Sequence, residues 1–276
     1  MSKDVYFASD DAVKESLVNK GIRPGLIYLA DELSLIVQEG YSSQDLCDMH
    51  AAKEIFDGTI VSPPEEVFRE DDDRKILFPV LSDGEIANRR IFLGRLASRV
   101  ASCRKCGLSS GRNRVVVGEG YPGGVMIIGE APGRQEDATG RPFVGRAGKV
   151  LEEMLALAGL KRKDLYITNV VKCRPVGDDG KDRPPSEEEV SACSLHLKQQ
   201  LLLIKPRLII TLGATALKYF YPGSYVSDLH GRFLEYEGTT IFPTYHPAAV
   251  FRKSELREVM RRDFAYLGRH IGGRKA

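Results

Sequence analysis

Over residues 1–60 apolar positions recur three and four apart, the spacing of one face of a helix. Three segments carry this pattern: "DDAVKESLVNKG", "PGLIYLADELSLIVQEG", opened by Pro24 and closed by Gly40, and "SSQDLCDMHAAKEIFDG", closed by Gly58. An Asp start, a Pro in the first turn and a Gly after the last periodic residue are ordinary helix punctuation. "SPPEEVFREDDDRK" then breaks the pattern with acidic residues and no apolar face, and reads as a linker. Helical spacing returns in "DGEIANRRIFLGRLASRVASC" at Ile86, Ile91, Leu93, Leu96 and Val100, so a helix delivers Cys103. From Val115 the period changes to short apolar runs, "VMIIGE", "LYITNVV", "RLIITLG" and "TIFPTYH". The amphipathic stretches "GKVLEEMLALAGL" and "SEEEVSACSLHLKQQLLLI" separate the first three. Strands alternating with helices predict an α/β fold, a three-layer α/β/α sandwich around a central, mainly parallel four-stranded sheet. Residues 1–80 are expected to be a mostly helical N-terminal extension with its linker, and 81–276 the main domain.

Charge sharpens this division. The formal net charge is only +2, but the first 80 residues hold 8 Lys/Arg against 17 Asp/Glu. Residues 81–276 therefore carry 32 basic against 21 acidic side chains, which suits a polyanionic partner such as nucleic acid. A plain solvated surface is the competing reading of the same charges. No run approaches the 18 or more apolar residues of a membrane span, and "MSKDVYFASDD" is too polar and acidic for a signal peptide, so a cytoplasmic location is expected. In that compartment the five cysteines, Cys47, Cys103, Cys106, Cys173 and Cys193, are poor disulfide candidates and better metal candidates.

In a parallel sheet, ligands bind beyond the carboxyl ends of the strands, and Glu130, Asn169 and His246 belong at that rim. Asn169 could cap a turn. Its carboxamide also presents an acceptor beside a donor, which matches N3–H and O4 of uracil and mismatches the acceptor N3 and donor N4 of cytosine. His246 could be a structural histidine, but Pro247 fixes a turn directly after it, where a side chain is aimed at a ligand. His230, before Gly231, is a weaker second candidate; His50, His196 and His270 read as structural or exposed. The loop "GEAPGRQED" looks like a phosphate cradle but has neither G-x-x-x-x-G-K-[ST] nor G-x-G-x-x-G, and Glu130, Glu136 and Asp137 would repel phosphate. A neutral base that carries donors suits it better.

Five motifs, "GEAPGRQED", "GRPFVGRAGKVLEEML", "TNVVKCRP", "KPRLIITLGATAL" and "HPAAVFR", stand in the order found in the family 4 uracil-DNA glycosylases, and the span from Cys103 to Arg252 resembles that iron–sulfur branch of the superfamily. The resemblance implies monofunctional hydrolysis of the N-glycosidic bond of uracil in DNA, leaving an abasic site in base excision repair. It also implies a base pocket: Glu130, Ala131 and Pro132 in the turn that contacts base and water, Glu136 on the wall that excludes a 5-methyl group, Phe143 stacked on the extruded base, Asn169 reading uracil, and His246 donating to uracil O2. Catalysis would fall to His246, Glu130 and Asn169. Where many members of the superfamily hold an Asp or Asn to orient water, this chain has Ala131, so leaving-group stabilisation should carry more of the rate.

The thiolates of Cys103, Cys106, Cys173 and Cys193 are enough for one [4Fe–4S] cluster or a structural zinc site; the resemblance favours the cluster. Nineteen residues separate Cys173 from Cys193, longer than the family's usual spacing, with "VGDDGKDRPP" as the enlargement. Cys47 reads as a buried thiol. Val250 and Phe251 are both candidates for the apolar wedge that fills the gap of a flipped nucleotide, and Arg252 for a DNA contact. Arg257, Arg261 and Arg262 read equally as phosphate contacts or a solvated helix face. The expected partner is uracil-containing DNA, single- or double-stranded, met by a monomer away from any membrane, with the N-terminal extension available to another protein. The competing class is a non-catalytic or crosslinking damage sensor of the same fold.

Overall fold

The computed structural model describes residues 6–8, 27–29, 75–76, 78 and 80–271. The chain divides into two compact units, Met1–Val61 and Ser62–Ala276. In the first, β1 (Tyr6–Ala8) pairs in parallel with β2 (Ile27–Leu29), Tyr6 opposite Ile27. This corrects the expected helix from Pro24. "IYL" is a short apolar run with β-branched and aromatic members, which periodicity alone does not separate from a helix and which a partner strand captures. The helices expected at 10–21 and 42–58, the rest of that from Pro24, the linker at 62–74 and Cys47 lie outside the described residues.

The second unit is built on a six-stranded sheet. Its strands are β3 (Glu119–Gly120), β4 (Val125–Gly129), β5 (Tyr166–Asn169), β6 (Leu208–Leu212), β7 (Leu234–Tyr236) and β8 (Thr239–Thr244), in the order β3-β5-β4-β6-β8-β7. The four expected strands are the parallel centre. Two short edge strands, each antiparallel to its neighbour, extend it to six; at two and three residues they are too short to leave a periodic signal. β4, β5 and β6 are buried throughout, as strands covered on both faces must be.

Ile127, Leu208, Ile210 and Phe242 share one core with Val150, Leu151 and Met154 of α4 (Arg146–Leu157) and Met260, Phe264 and Leu267 of α8 (Leu256–His270). The alternate residues Met126, Ile128, Ile209 and Ile241 point to the opposite face and are equally buried. There α1 (Asp83–Ala101) packs on α5 (Glu187–Ile204). Both helices begin where the sequence says they should. Ser82 and Ser186 are N-caps whose hydroxyls accept from Glu85 and Glu189 N–H, and each glutamate answers the cap's own N–H. Of the apolar stripe expected on α1, Leu93, Leu96 and Val100 are buried, but Ile91 is exposed.

Shorter helices complete the unit: α2 (Leu108–Gly111), α3 (Arg134–Thr139), α6 (Ala214–Phe220) and α7 (Val226–Leu229). Ile76 is buried and bridges to Ile271, its N–H donating to His270 O at 2.7 Å. The chain leaves β4 toward β5 on one side and reaches β6 on the other, which opens a crevice beyond the carboxyl end of β4.

Candidate active site

Two glycines create the space in this crevice. A side chain at Gly129, which ends β4, would lie 2.4 Å from Asn169 Oδ1 and 2.5 Å from Phe143 Cζ. Gly213, directly after β6 and at φ +88°, faces His246 Cβ at 2.9 Å from its missing Cβ. Only glycine lets the amide, the ring and the imidazole converge. The cleft they enter is about 560 Å³, and Glu130, Ala131, Pro132, Glu136, Phe143, Asn169 and His246 all line it. The pocket residues expected from the sequence are therefore brought together, with Arg252 at the margin.

Asn169 ends β5 and is 1% exposed, and its Oδ1 has no hydrogen-bond donor. A buried carbonyl left open costs about 1–3 kcal/mol, so this oxygen is available to a donor that enters the cleft. His246 follows β8 and caps the 3₁₀ turn Pro247–Phe251. Ala248 N–H donates to its Nδ1 at 3.1 Å, so the neutral ring carries its proton on Nε2. Burial, aided by the Arg252 charge, pushes the His246 pKa down to about 4. The ring is thus a neutral donor at ordinary pH. Phe143 is buried with its centroid 5.8 Å from that of His246 at an interplanar angle of 35°.

Phe143 adopts φ +50°, a left-handed conformation unusual for a bulky residue. Glu136 maintains it: Oε1 accepts from Val144 N–H at 2.9 Å and Gly145 N–H at 2.8 Å. The carboxylate expected to wall off a methyl group is, in the first place, a brace for the aromatic loop. Glu130 accepts from the Thr215 hydroxyl, and the Ala131 side chain has no polar atom. Asp137, buried next to Glu136, faces away and accepts from Asn113 N at 2.9 Å and from its amide.

At the margin, Val250 is buried in the core while Phe251 is 44% exposed, with the Arg146 guanidinium 4.4 Å above its ring. Arg257 and Arg261 are both engaged with Glu153 of α4, the latter at 2.8 Å, so they hold α8 to α4 rather than standing open for phosphate. His230 is bound to Asp263 at 3.0 Å, and Asp263 also accepts from Thr244 at 2.7 Å. That network buttresses the strand carrying His246 and lies outside the cleft. Burial pushes the Asp263 carboxyl up.

Sequence reasoning missed Lys172. It is fully buried, and Nζ donates to Thr168 Oγ1 at 2.8 Å, Asn169 O at 2.5 Å and Gln200 Oε1 at 2.6 Å. Burial lowers its pKa to about 7. Three acceptors match the three protons of an ammonium and fix the backbone that presents Asn169. A lysine inside the apolar run "NVVKC" is the only sequence signal of this.

Lys172 also leads to the cysteines. Cys103, Cys106, Cys173 and Cys193 line one void between α1, α2 and α5. Donors already point at the sulfurs: Lys172 N–H to Cys193 Sγ and Arg112 Nη1 to Cys173 Sγ, each at 3.3 Å, while His196 Nε2 lies 3.3 Å from Cys103 Sγ. Burial pushes the Cys173 and Cys193 thiols up, so a cation is needed to hold both as thiolates. Among the described residues no three His, Cys, Asp or Glu side chains are close enough to share a single metal ion. Four thiols around one void are the donor set of a tetrahedral Cys₄ zinc site or of a [4Fe–4S] cluster. N–H···S donors such as these are contacts that tune an iron–sulfur cluster.

The family model described as the uracil DNA glycosylase superfamily matches residues 121–267. A type-4 uracil-DNA glycosylase of Sulfurisphaera tokodaii is 42% identical over 184 residues, 62% of this chain and 81% of the relative. One of Thermotoga maritima is 43% identical over 174 residues, 61% of this chain and 88% of the relative. A type-5 uracil-DNA glycosylase of Pyrobaculum aerophilum is 31% identical over 168 residues, 52% of this chain and 72% of the relative.

Proposed function

The chain belongs to the uracil-DNA glycosylase superfamily, alongside its type-4 members, and from that premise we propose that it hydrolyses the N-glycosidic bond of uracil in DNA, leaving an abasic site for base excision repair. The observation that carries this reading is the unsatisfied Asn169 Oδ1 beside Phe143. Uracil N3–H donates to Oδ1 and the amide N–H donates to O4. Cytosine would set its N3 lone pair against Oδ1 and its N4 donor against the amide donor, leaving both ends unpaired. Phe143 replaces the stacking lost on extrusion, an interaction of about 1–3 kcal/mol per base. Glu136 acts on the substrate through that ring, and also walls the pocket.

As the glycosidic bond breaks, negative charge gathers on the departing base. His246 Nε2–H donates to uracil O2 from a neutral ring, so it stabilises the anion without first protonating it. Among the cleft's carboxylates Glu136 is occupied by backbone N–H groups and Asp182 by Arg174 at 2.6 Å. Glu130, oriented by Thr215 through one oxygen, keeps the other for the attacking water and lies close to the developing sugar cation. Pro132 and Ala131 shape the turn that holds it, and Phe251 is the wedge, with Val250 its support and Arg252 a phosphate contact.

Cys103, Cys106, Cys173 and Cys193 would hold a [4Fe–4S] cluster, whose contribution is to tie α1, α5 and the Asn169 loop together. Residues 81–276 form the catalytic domain, a monomer acting on DNA in the cytoplasm at the nucleoid, and the acidic extension 1–80 serves a protein partner. None of the helices among the described residues is long and apolar enough to cross a membrane. The test is purified protein on a uracil-containing duplex: free uracil and an alkali-labile site are expected, with release about 10²–10³ slower for His246→Ala. Tight binding without release would instead identify a damage sensor. Iron analysis should give about four iron atoms per chain; stoichiometric zinc would reject the cluster.

A further inference from the structure

We propose that a second cleft, walled by Arg104, Arg112 and Arg114, holds the DNA backbone a few nucleotides from the extruded base. This cleft, about 600 Å³, is separate from the base pocket and shares none of its residues. Its apolar lining comes from Ala97 and Ala101 of α1 with Val115 and Val117, and among the described residues no carboxylate lines it. Acidic groups on the adjoining segments are occupied. Asp137 accepts from Asn113 and from Arg114 N–H, and Glu119 is paired with Arg141 at 2.8 Å and Arg162 at 2.9 Å.

The three guanidinium groups differ in how they are held. Arg112 is fixed to the wall, donating to Ala101 O at 2.9 Å and to Cys173 Sγ at 3.3 Å. Arg104 and Arg114 are exposed, and among the described residues no carboxylate pairs with either side chain. Three positive charges around a concavity without a counter-charge focus the field on an anion, and the guanidinium fork fits phosphate oxygens. The cleft is open and far larger than one phosphate needs, so it suits a chain of them.

The placement of α3 connects the two clefts. Arg134, at its start, lines the base pocket, and Gly140, directly after its end, lines the basic cleft. Six residues of helix span about 9 Å at 1.5 Å each. At about 3.4 Å per nucleotide along one strand of a duplex, that is two to three nucleotides. One strand can therefore occupy both, which gives the surplus basic charge of residues 81–276 a specific position.

The inference rests on the glycosylase reading, and its test separates the two. The full-length Arg104→Gln/Arg114→Gln variant is compared with wild type for binding a uracil-containing oligonucleotide of about 20 nucleotides between about 50 and 200 mM salt. Losing two phosphate contacts should flatten the slope of log K against log salt by about 1.4 on single strands and about 1.8 on duplex. Release of uracil from the centre of a trinucleotide, too short to reach the cleft, should stay within about twofold of wild type. Because Arg104 adjoins Cys103, Arg114→Gln alone is the second variant and should give about half the slope change, with unaltered metal content. A wild-type slope in both variants, or an equal loss on trinucleotide and long substrate, would overturn the proposal. Failure of wild type to release uracil from either substrate would instead refute the glycosylase reading and leave the slope comparison standing.

Discussion

At the scale of single residues, the site is organised by what each polar atom already has and what it lacks. His246 Nδ1 is occupied by Ala248 N–H, so its remaining proton faces the pocket. A histidine whose folded pKa is depressed to about 4 is neutral both above its unfolded value and well below it. The rate kcat/KM should therefore run flat from about pH 8 down through 6.5, falling only as pH approaches about 4, when protonation evicts the Ala248 N–H. An inflection near 6.5 that disappears in His246→Gln would contradict this.

Lys172 gives a second expectation. Lys172→Met keeps the volume but strands three buried acceptors, at about 1–3 kcal/mol each. Loss of several kcal/mol in unfolding free energy is expected, measured by denaturant titration; a loss under about 0.5 kcal/mol would show that the network is dispensable. Asn169 and His246 were legible in the sequence because each ends an apolar run at a turn. Lys172 was not, since its role depends on Gln200, brought from α5, far along the chain, by the fold. The backbone-bracing role of Glu136 was hidden for the same reason: a carboxylate eight residues before Val144 looks like any pocket wall.

Among elements, strands buried on both faces announce themselves as continuous apolar runs, which is why all four central strands could be read. The edge strands could not, because β3 and β7 borrow their conformation from a neighbour rather than from a pattern of their own. The same competition turned "IYL" into β2. In the 3₁₀ turn Pro247–Phe251, Val250 is buried and Phe251 exposed, which is why Phe251 is proposed as the wedge. Phe251→Ala should leave stability within about 0.5 kcal/mol of wild type and slow excision from duplex more than from single strands, where no gap needs filling. Val250→Ala should do the reverse, losing about 1 kcal/mol or more of stability with little strand preference. Equal effects of Phe251→Ala on both substrates would remove it as the wedge.

For the whole molecule, sequence composition separates an acidic first 80 residues from a basic remainder, but the packing of Ile76 against the end of the chain has no signature in composition. A chain beginning at Lys75 should unfold at a higher temperature than one beginning at residue 81, because full burial of a side chain of this size contributes about 1.5–3 kcal/mol. Identical melting temperatures would show that the contact with Ile271 is idle. In the proposed reading, recognition of the base belongs to the folded unit as a whole, since the ends of β4 and β5, the segment after β8 and the loop before α4 each deliver one part of it. The most direct test is the single-turnover rate of uracil release from one U·G oligonucleotide by wild type and by Asn169→Ala, both at saturating enzyme. Release by wild type with a drop of about 10²-fold or more in the variant is predicted, and undiminished release by Asn169→Ala would contradict the assignment of the orphaned amide as the reader of uracil.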